Sequence, residues 1–116
     1  MGARTNIAIQ HSENEAENIN VYLHWGAEAL EELTDAVAQS RGRWNDTSYA
    51  LHIILDQLMK NCRDSEHGCG ISIGSEIYFE EEYTYKKIDL VNKKVTYGEL
   101  TMSFEEFLST RGVVNA

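Results

Sequence analysis

Proline is absent from this chain, cysteine occurs only twice, and residues 11 to 40 contain no Lys or Arg. Without proline there is no rigid or Pro-rich linker, and eight glycines are left to make compact turns. No apolar run approaches the roughly 18 residues that a membrane-spanning helix needs. The opening Met1-Gly2-Ala3-Arg4-Thr5 lacks the basic start and apolar stretch of a signal peptide, so a cytoplasmic protein is expected. With 116 residues, 42% of them hydrophobic, the chain reads as one domain, 1–116, able to bury a core without a metal or disulfide clamp.

Positive charge is scarce. Ten Lys and Arg against nineteen Asp and Glu leave a net charge of −9, which disfavours direct binding to nucleic acid. The acids cluster at Glu13, Glu15, Glu17, Glu28, Glu31, Glu32 and Asp35, and again at Glu76 and Glu80-Glu81-Glu82. Such segments either keep a protein soluble or dock on a basic partner.

Cys62 and Cys69 flank a loop that also holds His67. Zinc takes about four ligands and this segment offers three, so no metal is expected. Reduced structural thiols fit a cytoplasmic chain, with a lone disulfide or a redox switch as the alternatives.

Apolar periodicity sets out the elements. Thr5, Ile7 and Ile9 alternate, as do Ile19, Val21 and Leu23, which predicts an antiparallel hairpin of 4–10 with 18–25 around a polar, mobile loop, His11 to Glu17. The period then lengthens to that of a helix over 27–40, with Leu30, Leu33 and Val37 on its stripe and Arg41-Gly42 as its end. A second helix over 47–62 starts at Asp46 or Thr47 and carries a wide apolar face that includes Leu55. Ile71 and Ile73 suggest a short strand, Tyr83 to Leu90 a longer one, and Lys94 to Tyr97 its partner. The alternation changes phase between Tyr83/Tyr85 and Ile88/Leu90, which predicts a bulge or strong twist. Ser103 and Glu106 match a capping box for a short C-terminal helix. The expected fold is α+β, ββααβββα, with an antiparallel sheet of about five strands and two main helices packed on one face.

Two clusters could bind a ligand. On the outer face of the first hairpin, Arg4 is expected opposite His24 and Asn6 opposite Tyr22, a surface able to grip a planar polar molecule. Beside it, Trp25 sits at the strand-to-helix turn, where burial in the core competes with a binding role. The second cluster, Arg41, Arg43 and Trp44, brings two guanidinium groups and an indole to a helix start, which suits phosphate and a stacked base. Its alternative is structural, with the arginines paired to acids of the first helix and Trp44 closing the core. His52 reads as a hydrogen-bonded histidine at the core edge. No phosphate-cradling glycine loop, HExxH or GxSxG motif is present, so no enzyme, no catalytic residue and no cofactor are expected.

Several segments together carry a resemblance: Met1-Gly2-Ala3-Arg4-Thr5-Asn6-Ile7, Val21-Tyr22-Leu23-His24-Trp25-Gly26, Arg43-Trp44-Asn45-Asp46-Thr47-Ser48-Tyr49, Gly70-Ile71-Ser72 and Ser103-Phe104-Glu105-Glu106-Phe107. In order and spacing the chain resembles a set of small proteins encoded by phages and prophages. The resemblance implies an origin, and thus the cytoplasm of an infected bacterial host, more than a mechanism. By analogy with small phage proteins, the expectation is a non-catalytic antagonist of host antiviral defence. In the first form it sequesters a nucleotide-derived immune signal through Arg4, Asn6, Tyr22, His24, Trp25, Arg41, Arg43 and Trp44, with a homo-oligomer left open. In the alternative, as in many anti-CRISPR proteins, Glu80, Glu81 and Glu82 belong to an acidic face that blocks the basic nucleic-acid-binding surface of a host defence protein. No membrane partner is expected.

Overall fold

The computed structural model describes residues 5–23, 30–60, 62, 69–74 and 85–115. In chain order these form β1 (Thr5–Gln10), β2 (Ile19–Leu23), α1 (Leu30–Gln39), α2 (Thr47–Leu58), β3 (Cys69–Ile73), β4 (Lys86–Asp89), β5 (Lys94–Tyr97), β6 (Leu100–Ser103) and α3 (Phe104–Asn115). Short 3₁₀ turns occupy Glu15–Glu17 and Arg41–Arg43.

The strands make one six-stranded sheet in the order β3-β2-β1-β4-β5-β6. Five strands in an antiparallel sheet were expected, and two features differ. β1 and β4 run parallel, Ala8 beside Lys87 and Ile9 beside Ile88. A sixth strand, β6, pairs antiparallel with β5. Neither feature has a local signature, because alternation shows that a segment is a strand but not which strand lies beside it.

Side chains of alternate strand residues point to opposite faces. One face carries Ile7, Ile9, Val21, Leu23, Ile88 and Val95 into a core completed by Leu33 and Val37 of α1, Ile54 and Leu58 of α2, and Phe104 and Phe107 of α3. All three helices thus feed the same core, α1 touching both α2 and α3, and α3 lying by β5 and β6. On α2 the buried positions are Ala50, Ile54 and Leu58, whereas Leu55 is only partly buried against them.

The first hairpin has the expected register, with Asn6 opposite Tyr22. Its loop, expected to be mobile, is built by its own hydrogen bonds: Asn14 Oδ1 accepts from the Ala16 N–H at 3.1 Å, and Ser12 Oγ donates to Glu17 Oε1 at 2.7 Å. The expected bulge near Tyr85 is absent from the described residues, since pairing runs without interruption from Lys86↔Tyr97 to Asp89↔Lys94. The apolar alternation fails there because a lysine takes an inward position. Lys86 is fully buried, and its Nζ donates to Thr5 Oγ1 at 2.8 Å.

Two helix boundaries also differ. Gly42 does not close α1 in the left-handed region; the chain winds on through the 41–43 turn instead. α2 ends at Leu58, short of the expected residue 62. The capping box of α3 forms in both directions, Ser103 N–H to Glu106 Oε1 and Glu106 N–H to Ser103 Oγ, each at 3.1 Å. Cys62 and Cys69 are joined in a disulfide rather than held as free thiols, with Cα atoms 6.2 Å apart. The cross-link fastens the chain just beyond α2 to the first residue of β3, while α3 lies by β5 and β6. No helix among the described residues is long and apolar enough to cross a membrane.

Candidate functional site

The turn from α1 to α2 holds the second of the two expected clusters. Trp44 is half-buried, and its Nε1 donates to the Val37 carbonyl at 3.2 Å and to Ser40 Oγ at 3.1 Å. Its ring meets Phe104 with centroids 4.8 Å apart and planes tilted by 50°. The indole N–H and most of the ring therefore serve the core and the end of α1.

Arg41 lies 5.5 Å from the centroid of the Trp44 ring and ion-pairs with Glu105 of α3. Its partner is thus an acid of α3, where an acid of α1 had been expected. Arg43 points elsewhere, its guanidinium 4.8 Å from the centroid of the exposed Tyr49 ring. Nothing in the spacing of the sequence singled out Tyr49; an aromatic one turn into a helix, beside an arginine in the preceding turn, was the signal available. Asp46 precedes α2 in an extended conformation without donating or accepting a side-chain cap bond. Its carboxylate places negative charge where an anion would approach the α2 N-terminus. Arg41 and Glu105, with Thr34, Asp35, Leu108 and Ser109, line an open cleft of about 480 Å³ between α1 and α3.

The three helices carry more acid than base, Arg111 of α3 being their basic residue. Glu31, Glu32 and Asp35 lie on α1, Asp56 on α2, and Glu105 and Glu106 on α3. Lys60 Nζ bonds Asp35 Oδ2 at 2.9 Å. Its ammonium is held above the ordinary lysine range first by that hydrogen bond, then by the negative charges of Asp35, Glu31 and Glu32, with desolvation opposing them. The cations Arg41 and Lys60 are thus neutralised locally, while Arg43 makes no ion pair among the described residues.

On the opposite face of the sheet, Asn6 and Tyr22 are neighbours as expected, but they do not make an open gripping surface. Asn6 is buried and Tyr22 half-buried. Gln10 and Asn20 are buried on the same face, Asn20 Nδ2 donating to the Gly74 carbonyl at 3.0 Å. Asn18 Oδ1, also buried, meets no donor among the described residues. Tyr85 is half-buried, and desolvation together with the charge of Glu15 pushes its phenol above the ordinary range. His52, expected at the core edge, is exposed on α2 beside Leu51 and Leu55 because it falls on the outward side of the helix. Arg4, His24, Trp25, Glu80, Glu81 and Glu82 lie outside the described residues.

Comparison with models of protein families, with curated proteins and with solved structures finds no match to this chain.

Proposed function

We propose that the chain is a non-catalytic binding protein, a phage-encoded antagonist that sets its acidic helical face against the basic nucleic-acid-binding surface of a host defence protein. The observation that carries this reading is the fate of the cations. Arg41 and Lys60 are spent on Glu105 and Asp35, and the helices carry Glu31, Glu32, Asp56 and Glu106 in addition. A net charge of −9 adds a long-range field of the same sign, which speeds encounter with a basic surface. The resemblance to small phage proteins supplies the choice of host defence as the setting. Glu80, Glu81 and Glu82 extend the reading to a segment beyond the described residues.

The test is titration against basic nucleic-acid-binding effector domains, with competition by their own nucleic acid. Binding should compete with nucleic acid, weaken steeply as salt rises, and fall in a Glu31→Lys/Glu105→Lys variant that keeps the wild-type melting temperature. Binding that ignores salt and these substitutions rejects the reading.

A second reading, sequestration of a nucleotide-derived signal, is favoured by one observation: the Arg43 guanidinium lies over the exposed Tyr49 ring, outside the core. Such a pair suits a phosphate with a stacked base. Calorimetry with cyclic nucleotides and ADP-ribose derivatives tests it, with loss of affinity in Arg43→Ala as the expected result.

A further inference from the structure

Among the described residues β3 is an edge strand, and the strand itself carries no charge, proline or bulge of the kind that usually protects one. Residues Cys69 to Ile73 include no charge and no proline, and they pair with β2 without a bulge. The direction of the main-chain groups follows from one bond. The Gly74 N–H donates to the Asn18 carbonyl at 2.9 Å, continuing the β2–β3 register in which Ile73 faces Ile19. Antiparallel neighbours alternate between bonded and non-bonded pairs, so Gly70 and Ser72 exchange bonds with β2. The N–H and C=O groups of Ile71 and Ile73 therefore point away from the sheet, and no described residue pairs with them. Their side chains are 51% and 66% exposed, although they belong to the face that is buried elsewhere in the sheet.

We propose that this edge is the interface between two copies of the chain, β3 pairing antiparallel with β3 of the second copy so that one sheet runs through the dimer. Three observations favour a second copy as the occupant. The strand is self-complementary: antiparallel pairing sets isoleucine against isoleucine on the helix side and Gly70 and Ser72 together on the other. It is also an uncharged stretch in a chain of net charge −9, where like copies can approach with least repulsion. Finally, the disulfide ties Cys62, shortly after the end of α2, to the first residue of this strand, and Leu51, Leu55 and Met59 line a groove of about 440 Å³ along that helix, apolar surface that a second copy would cover.

Sedimentation equilibrium and amide hydrogen exchange on the whole oxidised chain test the proposal. The expected result is a monomer–dimer equilibrium with a Kd below about 100 μM, tightening as salt screens the repulsion between copies. Exchange at the Ile71 and Ile73 amides should slow at least about tenfold between dilute and concentrated samples, because pairing buries them. An Ile71→Lys/Ile73→Lys variant should raise the Kd by roughly a hundredfold, since like charges would face each other across the new ladder. Both side chains are exposed, so its melting temperature at low concentration should match the wild type. A chain that stays monomeric at about 1 mM, a dimer that persists in the double variant, or exchange at these amides that ignores concentration overturns the proposal.

Discussion

The Trp44 ring packs against Phe104 at a centroid distance of 4.8 Å, so the turn between α1 and α2 is held to the first residue of α3 by two aromatic side chains. The contact joins parts of the chain far apart in sequence, and it explains why the tryptophan is only half exposed to any ligand.

Replacing Trp44 with alanine removes this contact and two hydrogen bonds to the end of α1. For a half-buried ring the expected loss of stability is about 2 to 4 kcal/mol, measured by urea unfolding. A loss under about 0.5 kcal/mol would contradict its place in the core.

Arg41→Ala should behave differently. Its ion pair with Glu105 is exposed, with side-chain accessibilities of 55% and 67%, so stability should change by less than about 1 kcal/mol. Removing the cation also uncovers the Glu105 carboxylate. If the acidic helical face docks on a basic partner, affinity for that partner should rise, by roughly two- to fivefold at low salt. Weaker binding would instead point to Arg41 as a contact with an anion.

The Cys62–Cys69 disulfide closes a short loop, with a sequence separation of 7. In the chain-entropy account such a loop contributes about 2.5 kcal/mol. Adding a reductant should lower the unfolding free energy of the wild type, read from urea titration, by that margin and leave a Cys62→Ser/Cys69→Ser variant unmoved. Equal sensitivity in the two proteins would remove the disulfide as the cause.

Tyr85 supplies a pH dependence with a definite sign. Desolvation, then the charge of Glu15, lifts its phenol above the ordinary 10.0. As pH rises past that value the unfolded chain gives up a proton that the folded chain retains. The stabilisation is complete below the unfolded value and is lost as pH climbs through the folded one. Tyr85→Phe should therefore flatten the fall in stability between neutral pH and about pH 11, and Glu15→Gln should move the phenolate absorbance transition of the folded protein downward. A Tyr85→Phe variant with an unchanged alkaline profile would exclude this phenol as its source.

The amino-acid order determined the local elements wherever side-chain period and a capping signal agree. Ile7 with Ile9 and Val21 with Leu23 marked the first hairpin and its register, Leu33 and Val37 the inner stripe of α1, and Ser103 with Glu106 the start of α3. These are decided by neighbours along the chain, since strands alternate every second residue and helical faces recur every third or fourth. Tertiary structure decided the rest. It set β4 parallel to β1, turned Lys86 inward beside Thr5, buried Ile54 on α2 more deeply than Leu55, and brought Glu105 to Arg41. It also brought the two sulfurs together. Each of these depends on which surfaces meet once the helices lie across the sheet, and no spacing along the chain encodes that distance.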